Sequence, residues 1–174
     1  MSNLTNFQAV NLYKLSQTEE FGQVSFKQPR QYLLVQRNVK NLKELYDSLV
    51  EAEKKVTEPS AEFAEFDSER KELITPYLVK DENGEVVLDE KGIPTPIEEY
   101  KQTVETIFRN LLEKHKTAIE ENNKKLLSWS EFLHSEAEVK IDLIPVDDVT
   151  LPDLGFNNIK FSILSLMLEI SEEY

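Results

Sequence analysis

The stretch TPIEEYKQTVETIFRNLLEKHKTAIEENNKKLLSWSEFL, Thr95 to Leu133, decides the architecture. Tyr100, Val104, Ile107, Phe108, Leu111, His115, Ala118 and Ile119 recur mostly at steps of three and four, which places them on one face of a helix. Glu99, Gln102, Glu105, Arg109, Glu113, Lys116, Glu120 and Lys124 fall on the other face. A start signal precedes them: Thr95 as cap, Pro96 at the first helical position and Glu98 completing a capping box. The reading is one helix of some 30 residues and roughly 45 Å, at 1.5 Å rise per residue. A stripe so long and narrow needs a partner helix.

That partner lies upstream. Pro29 suits the first turn of a helix, and Tyr32, Val35, Val39, Leu42, Tyr46, Leu49 and Val56 form a near-heptad seam to about Thr57. Pro59 interrupts it, and a further helix from Ser60 carries Phe63, Phe66, Leu73, Ile74 and Tyr77. Between the two long helical segments the period changes. Leu78, Val79, Val86, Val87 and Leu88 flank Asp81-Glu82-Asn83-Gly84, and Asn-Gly is a strong hairpin-turn signal. Asp89-Glu90-Lys91-Gly92 repeats the turn eight residues on, an echo inside one hairpin. The body is therefore expected to be an antiparallel helical hairpin, residues 29–77 and 96–133, bridged by a β-hairpin over 78–94.

The ends close the core. Thr5 with Gln8 is a capping box that opens a short helix over 5–17, followed by a connector over 21–28 with some extended character. Val139, Ile141 and Leu143 alternate with Lys140 and Asp142 as a half-buried strand ended by Pro145. After an acidic loop from Asp147 to Asp153, the run Leu154, Phe156, Ile159, Ile163, Leu164, Leu166, Met167, Leu168 and Ile170 reads as the most apolar helix of the chain. The fold class is α+β, mainly α, organised as a single domain over 1–174.

Composition narrows function. The chain has 174 residues, 33 acidic against 20 basic side chains, a formal net charge of −13 and no cysteine. Disulfides, thiolate metal sites and a cysteine nucleophile are excluded. The charge argues against direct binding to nucleic acid or an anionic membrane, and favours a protein partner with a basic surface. Neither a signal peptide nor a membrane span is legible, so a cytoplasmic protein is expected.

No residue stands out for catalysis, for a cofactor or for a metal. His115 sits on the apolar stripe with Leu111 and Ile119 four residues either side, and reads as structural. His134 falls near a helix end, where the dipole favours it. Asp81, Asn83 and Glu85 fail as a calcium loop, because position twelve is Gly92. Ser128, Ser130 and Ser135 around Trp129 have nothing to activate them. The informative anomaly is charge segregation. Phe21 to Lys43 holds Lys27, Arg30, Arg37, Lys40 and Lys43 with no acid; Glu58, Glu62, Glu65, Asp67 and Glu69 follow with no base among them. These five, with Asp147 and Asp148, are the candidate partner-binding residues. A solvated, solubilising surface is the plain alternative.

Asn6-x-x-Ala9-Val10-Asn11-Leu12-Tyr13, the Asp81-Glu82-Asn83-Gly84 turn between charged helices, and Val139-Lys-Ile-Asp-Leu-Ile144 with Leu151-Pro-Asp-Leu154 carry a resemblance. The chain resembles an uncharacterised family of small acidic proteins encoded by tailed phages and prophages of Gram-positive bacteria. The resemblance implies no activity, cofactor or catalytic residue. It implies two roles: blocking a host defence or DNA-processing protein, with the acidic face imitating DNA charge, or assisting virion (tail) assembly as a chaperone. The long seams can be satisfied within one chain or between two, so a homodimer stays open.

Overall fold

The computed structural model describes residues 4–152 and 155–169. The chain is mainly helical, of the α+β class. In order it runs α1 Asn6–Ser16, α2 Glu19–Gly22, β1 Ser25–Phe26, α3 Pro29–Thr57, α4 Ala61–Ile74, α5 Lys101–Lys114, α6 Lys116–His134, β2 Ile144–Pro145, β3 Val149–Thr150, α7 Asn158–Leu164 and β4 Leu168–Glu169. β1 pairs antiparallel with β3, and β2 pairs parallel with β4. It divides into two compact units where length pointed to one domain: Met1–Lys55 with Ser128–Tyr174, and Val56–Leu127.

The first unit contains the main core. Leu4, Ala9, Leu12, Leu15, Phe21, Val24, Phe26, Val35, Leu42, Ile141, Ile144, Leu164, Met167 and Leu168 form one buried cluster. The Thr5–Gln8 capping box opens α1 as its sequence requires. Asn6, buried behind it, donates from its amide to the Phe132 carbonyl (2.9 Å), closing the C-terminal end of α6 where the last carbonyls lack helical partners.

Several expectations are corrected in this unit. The connector over 21–28 includes the end of a short helix, capped by Thr18, before β1 begins. Burial alternates over residues 139–141 as in a strand, but Asp142 and Leu143 are both half-buried, and among the described residues 139–143 pair with no strand. Side chains of α3 serve that backbone instead. Asn38 donates to the Asp142 carbonyl (2.8 Å) and accepts from the Asp142 N–H (2.9 Å), while Asn41 donates to the Lys140 carbonyl (2.9 Å). Arg37 adds an ion pair to the Asp142 carboxylate at 3.0 Å. The ladder begins one residue later, at Ile144.

The expected apolar C-terminal helix is also corrected. α7 lasts seven residues, passes through a tight turn at Ser165–Met167 and becomes β4. The apolar run is too wide for one helical face because two periodicities share it: Leu164 and Met167 enter the core from helical turns, and Leu168 from a strand. Leu154 and Ile170 of that expected helix lie outside the described residues.

The second unit contains a helical hairpin shorter than the expected 29–77 against 96–133, because α3 as far as Lys55 belongs to the first unit. α4 runs antiparallel to α5 and the start of α6, as its cross-contacts show: Tyr77 with Tyr100, Phe66 with His115, and the Glu58 carbonyl with the Lys125 ammonium. Ser60 caps α4, accepting from the Phe63 N–H, so Pro59 breaks the helix as its ring dictates. The single helix expected from Thr95 is corrected twice. First, Thr95 and Pro96 are taken into extended pairing, and a tight turn at Glu98–Tyr100 without a side-chain cap leads into α5. A tertiary backbone bond to Thr95 outcompetes the local capping box. Second, the helix bends at His115 (φ −105°, ψ 19°), dividing α5 from α6. Bonds from His115 N to Leu111 O and from Ile119 N to His115 O, both 3.0 Å, carry the chain across the bend.

Candidate functional site

The hairpin tip is built from an eight-residue repeat. Leu78-Val79-Lys80-Asp81-Glu82-Asn83-Gly84-Glu85 is followed by Val86-Val87-Leu88-Asp89-Glu90-Lys91-Gly92-Ile93, then by the partial copy Pro94-Thr95-Pro96-Ile97. Both loops fold alike. The Asp81 carboxylate accepts from the N–H groups of Asn83 and Glu85 at 2.9 Å, and the Asp89 carboxylate from those of Lys91 and Ile93 at 2.8 Å. Gly84 (φ 81°) and Gly92 (φ 75°) take the left-handed position after each aspartate-led turn. The expected Asn-Gly hairpin turn takes the form of a three-residue loop, residues 82–84, in which Asn83 does not have positive φ and glycine holds the left-handed position.

The single β-hairpin is likewise corrected. Val79 N donates to Thr95 O, Thr95 N to Val87 O, and Val87 N to Val79 O, each at 2.9 Å. These residues stand eight apart, and their bonds close a cycle of three short segments. What looked like an echo of one turn is an internal repeat. The signal was present in the identical spacing of Asp81/Asp89 and Gly84/Gly92, but two copies and a fragment resemble ordinary hairpin chemistry until the third segment is placed.

Equivalent positions of the repeat face one way. Leu78, Val86 and Pro94, the first residue of each copy, line an open cleft with Leu88 and Ile93. Ile74 and Thr75 at the end of α4, and Val104 and Phe108 of α5, complete its apolar wall, with Arg70, Lys71 and Glu105 around them. The volume is about 480 Å³. Leu88 and Ile93 are 55% and 56% exposed, and Phe108 39%. So much apolar surface on adjoining segments is uncommon without a partner or ligand. The lining holds no histidine and no nucleophile–base pair. Among the described residues, no group of His, Asp or Glu side chains could hold a metal ion.

Glu58, Glu62 and Glu65 are exposed, with no ion pair among the described residues. Asp67 is paired on its own helix with Arg70 (2.6 Å) and Lys71 (2.7 Å); those cations, Lys71 foremost, hold its carboxyl below the ordinary aspartate value. Glu69 is bonded to Lys114 and to His115 Nε2 (3.1 Å), which together hold its carboxyl below the ordinary value of about 4.5, Lys114 contributing most. In the other unit, Asp147 is exposed, whereas the Asp148 carboxylate accepts from the Gln31 amide and its carbonyl from Lys27 N (3.0 Å). Asp153 lies outside the described residues. The structure therefore gathers Glu58, Glu62 and Glu65 on α4 and its approach, and commits Asp67, Glu69 and Asp148 to internal partners.

His115 is buried, bonded to Glu69 and packed against Phe66, the two rings tilted by 56° with centroids 5.7 Å apart. It joins α4 to the bend between α5 and α6. His134 donates from Nδ1 to the Ser130 carbonyl (2.8 Å) in the last turn of α6 and stacks on Phe7.

A pH dependence follows from Glu69. Its folded pKa lies below its unfolded one, so its stabilising contribution is present above about pH 4.5 and is lost as pH falls through the folded value. Glu69→Gln should lower the thermal midpoint at pH 5.5, and the gap to the parent chain should close toward pH 3. A gap that stays constant over that range would assign the loss to packing rather than charge.

Compared with protein-family models, with curated proteins and with solved structures, the chain matches none. Among the described residues, no helix is long and apolar enough to cross a membrane.

Proposed function

We propose that this is a non-enzymatic protein of phage origin, working in the host cytoplasm, that acts by docking the tip of its helical hairpin onto one protein partner. The observation that supports this reading is the open apolar cleft walled by Leu78, Val86, Leu88, Ile93, Pro94 and Phe108. Between the two roles implied by the family resemblance, an exposed apolar surface fits an assembly factor for virion proteins. Charge mimicry needs an unbroken array of free carboxylates, and Asp67, Glu69 and Asp148 already have partners. Glu58, Glu62 and Glu65 support the inhibitor as a second reading: they are exposed, with no ion pair among the described residues, and suited to a basic host protein.

The absence of cysteine makes a direct test available. Leu88→Cys gives a single thiol for a photo-crosslinker at the tip, and Leu33→Cys, on α3 and 62% exposed, gives a control. Both would be activated in infected host cells and in uninfected ones, and the adducts read by mass spectrometry. A virion protein cross-linked from residue 88 but not from residue 33, in a complex that survives high salt, is the expected result. A host DNA-binding protein whose complex dissolves at high salt would instead favour the inhibitor, because charge pairs are screened. Equal labelling from both positions removes the tip from consideration.

A further inference from the structure

The cleft at the tip has features that specify the chemistry of its occupant, and the argument rests on the reading of that tip as a docking site. Its floor is the groove between two antiparallel helices, α4 and α5, closed at one end by the octad repeat. Its volume of about 480 Å³ lies in the range of preformed apolar sites, roughly 300–1,000 Å³. A groove between helices accepts the ridge of another helix through side chains spaced i, i+3 or i+4, and i+7. An added β-strand is disfavoured. The tip segments are only a few residues long, their central residues bond one another in a closed cycle, and the third segment carries Pro94 and Pro96, which lack an N–H.

Charge gives the second half of the specification. From residue 78 to residue 105 the acids are Asp81, Glu82, Glu85, Asp89, Glu90, Glu98, Glu99 and Glu105, against Lys80, Lys91 and Lys101: eight against three. Glu85 adjoins Val86, Glu90 lies between Leu88 and Ile93, and Glu105 itself lines the cleft. The cations at the wall, Arg70 and Lys71, share the one carboxylate of Asp67 and leave a single positive charge there, which the excess of five acids over residues 78–105 outweighs. We infer that the cleft binds a cationic amphipathic helix of a protein partner, its apolar ridge against Leu88, Ile93 and Phe108 and its basic flanks against Glu85, Glu90 and Glu105.

The test uses the full chain and three labelled synthetic peptides of equal length. One places leucines at i, i+3, i+4 and i+7 among lysines; one alternates the same leucines and lysines; one keeps the helical pattern with glutamates. Fluorescence anisotropy at physiological salt should show the helical Leu/Lys peptide binding at least tenfold more tightly than either other. Leu88→Asp with Ile93→Asp should weaken it tenfold or more, with helicity by circular dichroism unchanged because both side chains are already exposed. Glu85→Gln with Glu90→Gln provides an independent variant, expected to weaken binding several-fold while removing no apolar group. Equal binding of the alternating peptide, tighter binding of the glutamate peptide, or indifference to both double variants overturns the proposal. A cross-link from residue 88 to an acidic or extended segment of a partner also overturns it, while leaving the docking function standing; loss of all specific cross-linking at residue 88 removes both.

Discussion

Asn38→Leu is expected to destabilise the first unit by about 3 kcal/mol, the sum of two lost hydrogen bonds and of backbone groups left without them. Asn38 is completely buried in the middle of α3, and its amide answers both polar groups of Asp142. Leucine keeps the number and branching of the side-chain heavy atoms and leaves no cavity, so the loss is not that of an emptied site. Asn41, one turn along and half-buried, makes a comparable but solvent-exposed bond to Lys140, and Asn41→Ala should cost under about 1 kcal/mol because water replaces it. Urea denaturation measures both, and amide exchange at Asp142 should accelerate only in the Asn38 variant. Equal costs at the two positions would mean that segment 139–143 is held by its apolar side chains alone.

Leu42→Ala should cost about 2–5 kcal/mol, the usual range for a leucine whose surroundings cannot collapse around the space left. Leu42 is 1% exposed and belongs to the core cluster of the first unit. Leu33 lies on the same helix, nine residues earlier, at 62% exposure, and Leu33→Ala should fall within about 0.5 kcal/mol of the parent. The contrast tests the seam read from spacing alone, since both residues are leucines in one helix and only the angular position differs. Similar losses at both sites would mean that Leu33 is covered by something, such as a second copy of the chain, and sedimentation would then reveal it.

The parts of the fold legible in the residues are those with local causes. The Thr5–Gln8 capping box, Pro29 at the start of α3, the seam through Val35, Leu42 and Leu49, and the break at Pro59 with Ser60 as the new cap all stand as read. Each depends on interactions within one turn, or on a periodicity that any solvent-facing helix imposes. The charge segregation was legible too, but not its fate. Whether Asp67 and Glu69 faced solvent or a cation depended on where Arg70, Lys71 and Lys114 came to rest.

The sequence by itself determined a helical hairpin with aspartate-led glycine turns between its arms, because helix periodicity, proline geometry and left-handed turn positions are properties of the local chain. The tertiary structure alone decided the rest. Thr95 left its capping box to close a backbone cycle with Val79 and Val87, and residues 139–143 took their partners from the amides of α3. The apolar tail changed from helix to strand where β2 offered a ladder. In each case the backbone groups were satisfied by hydrogen-bond partners eight or more residues away along the chain, which no local pattern names.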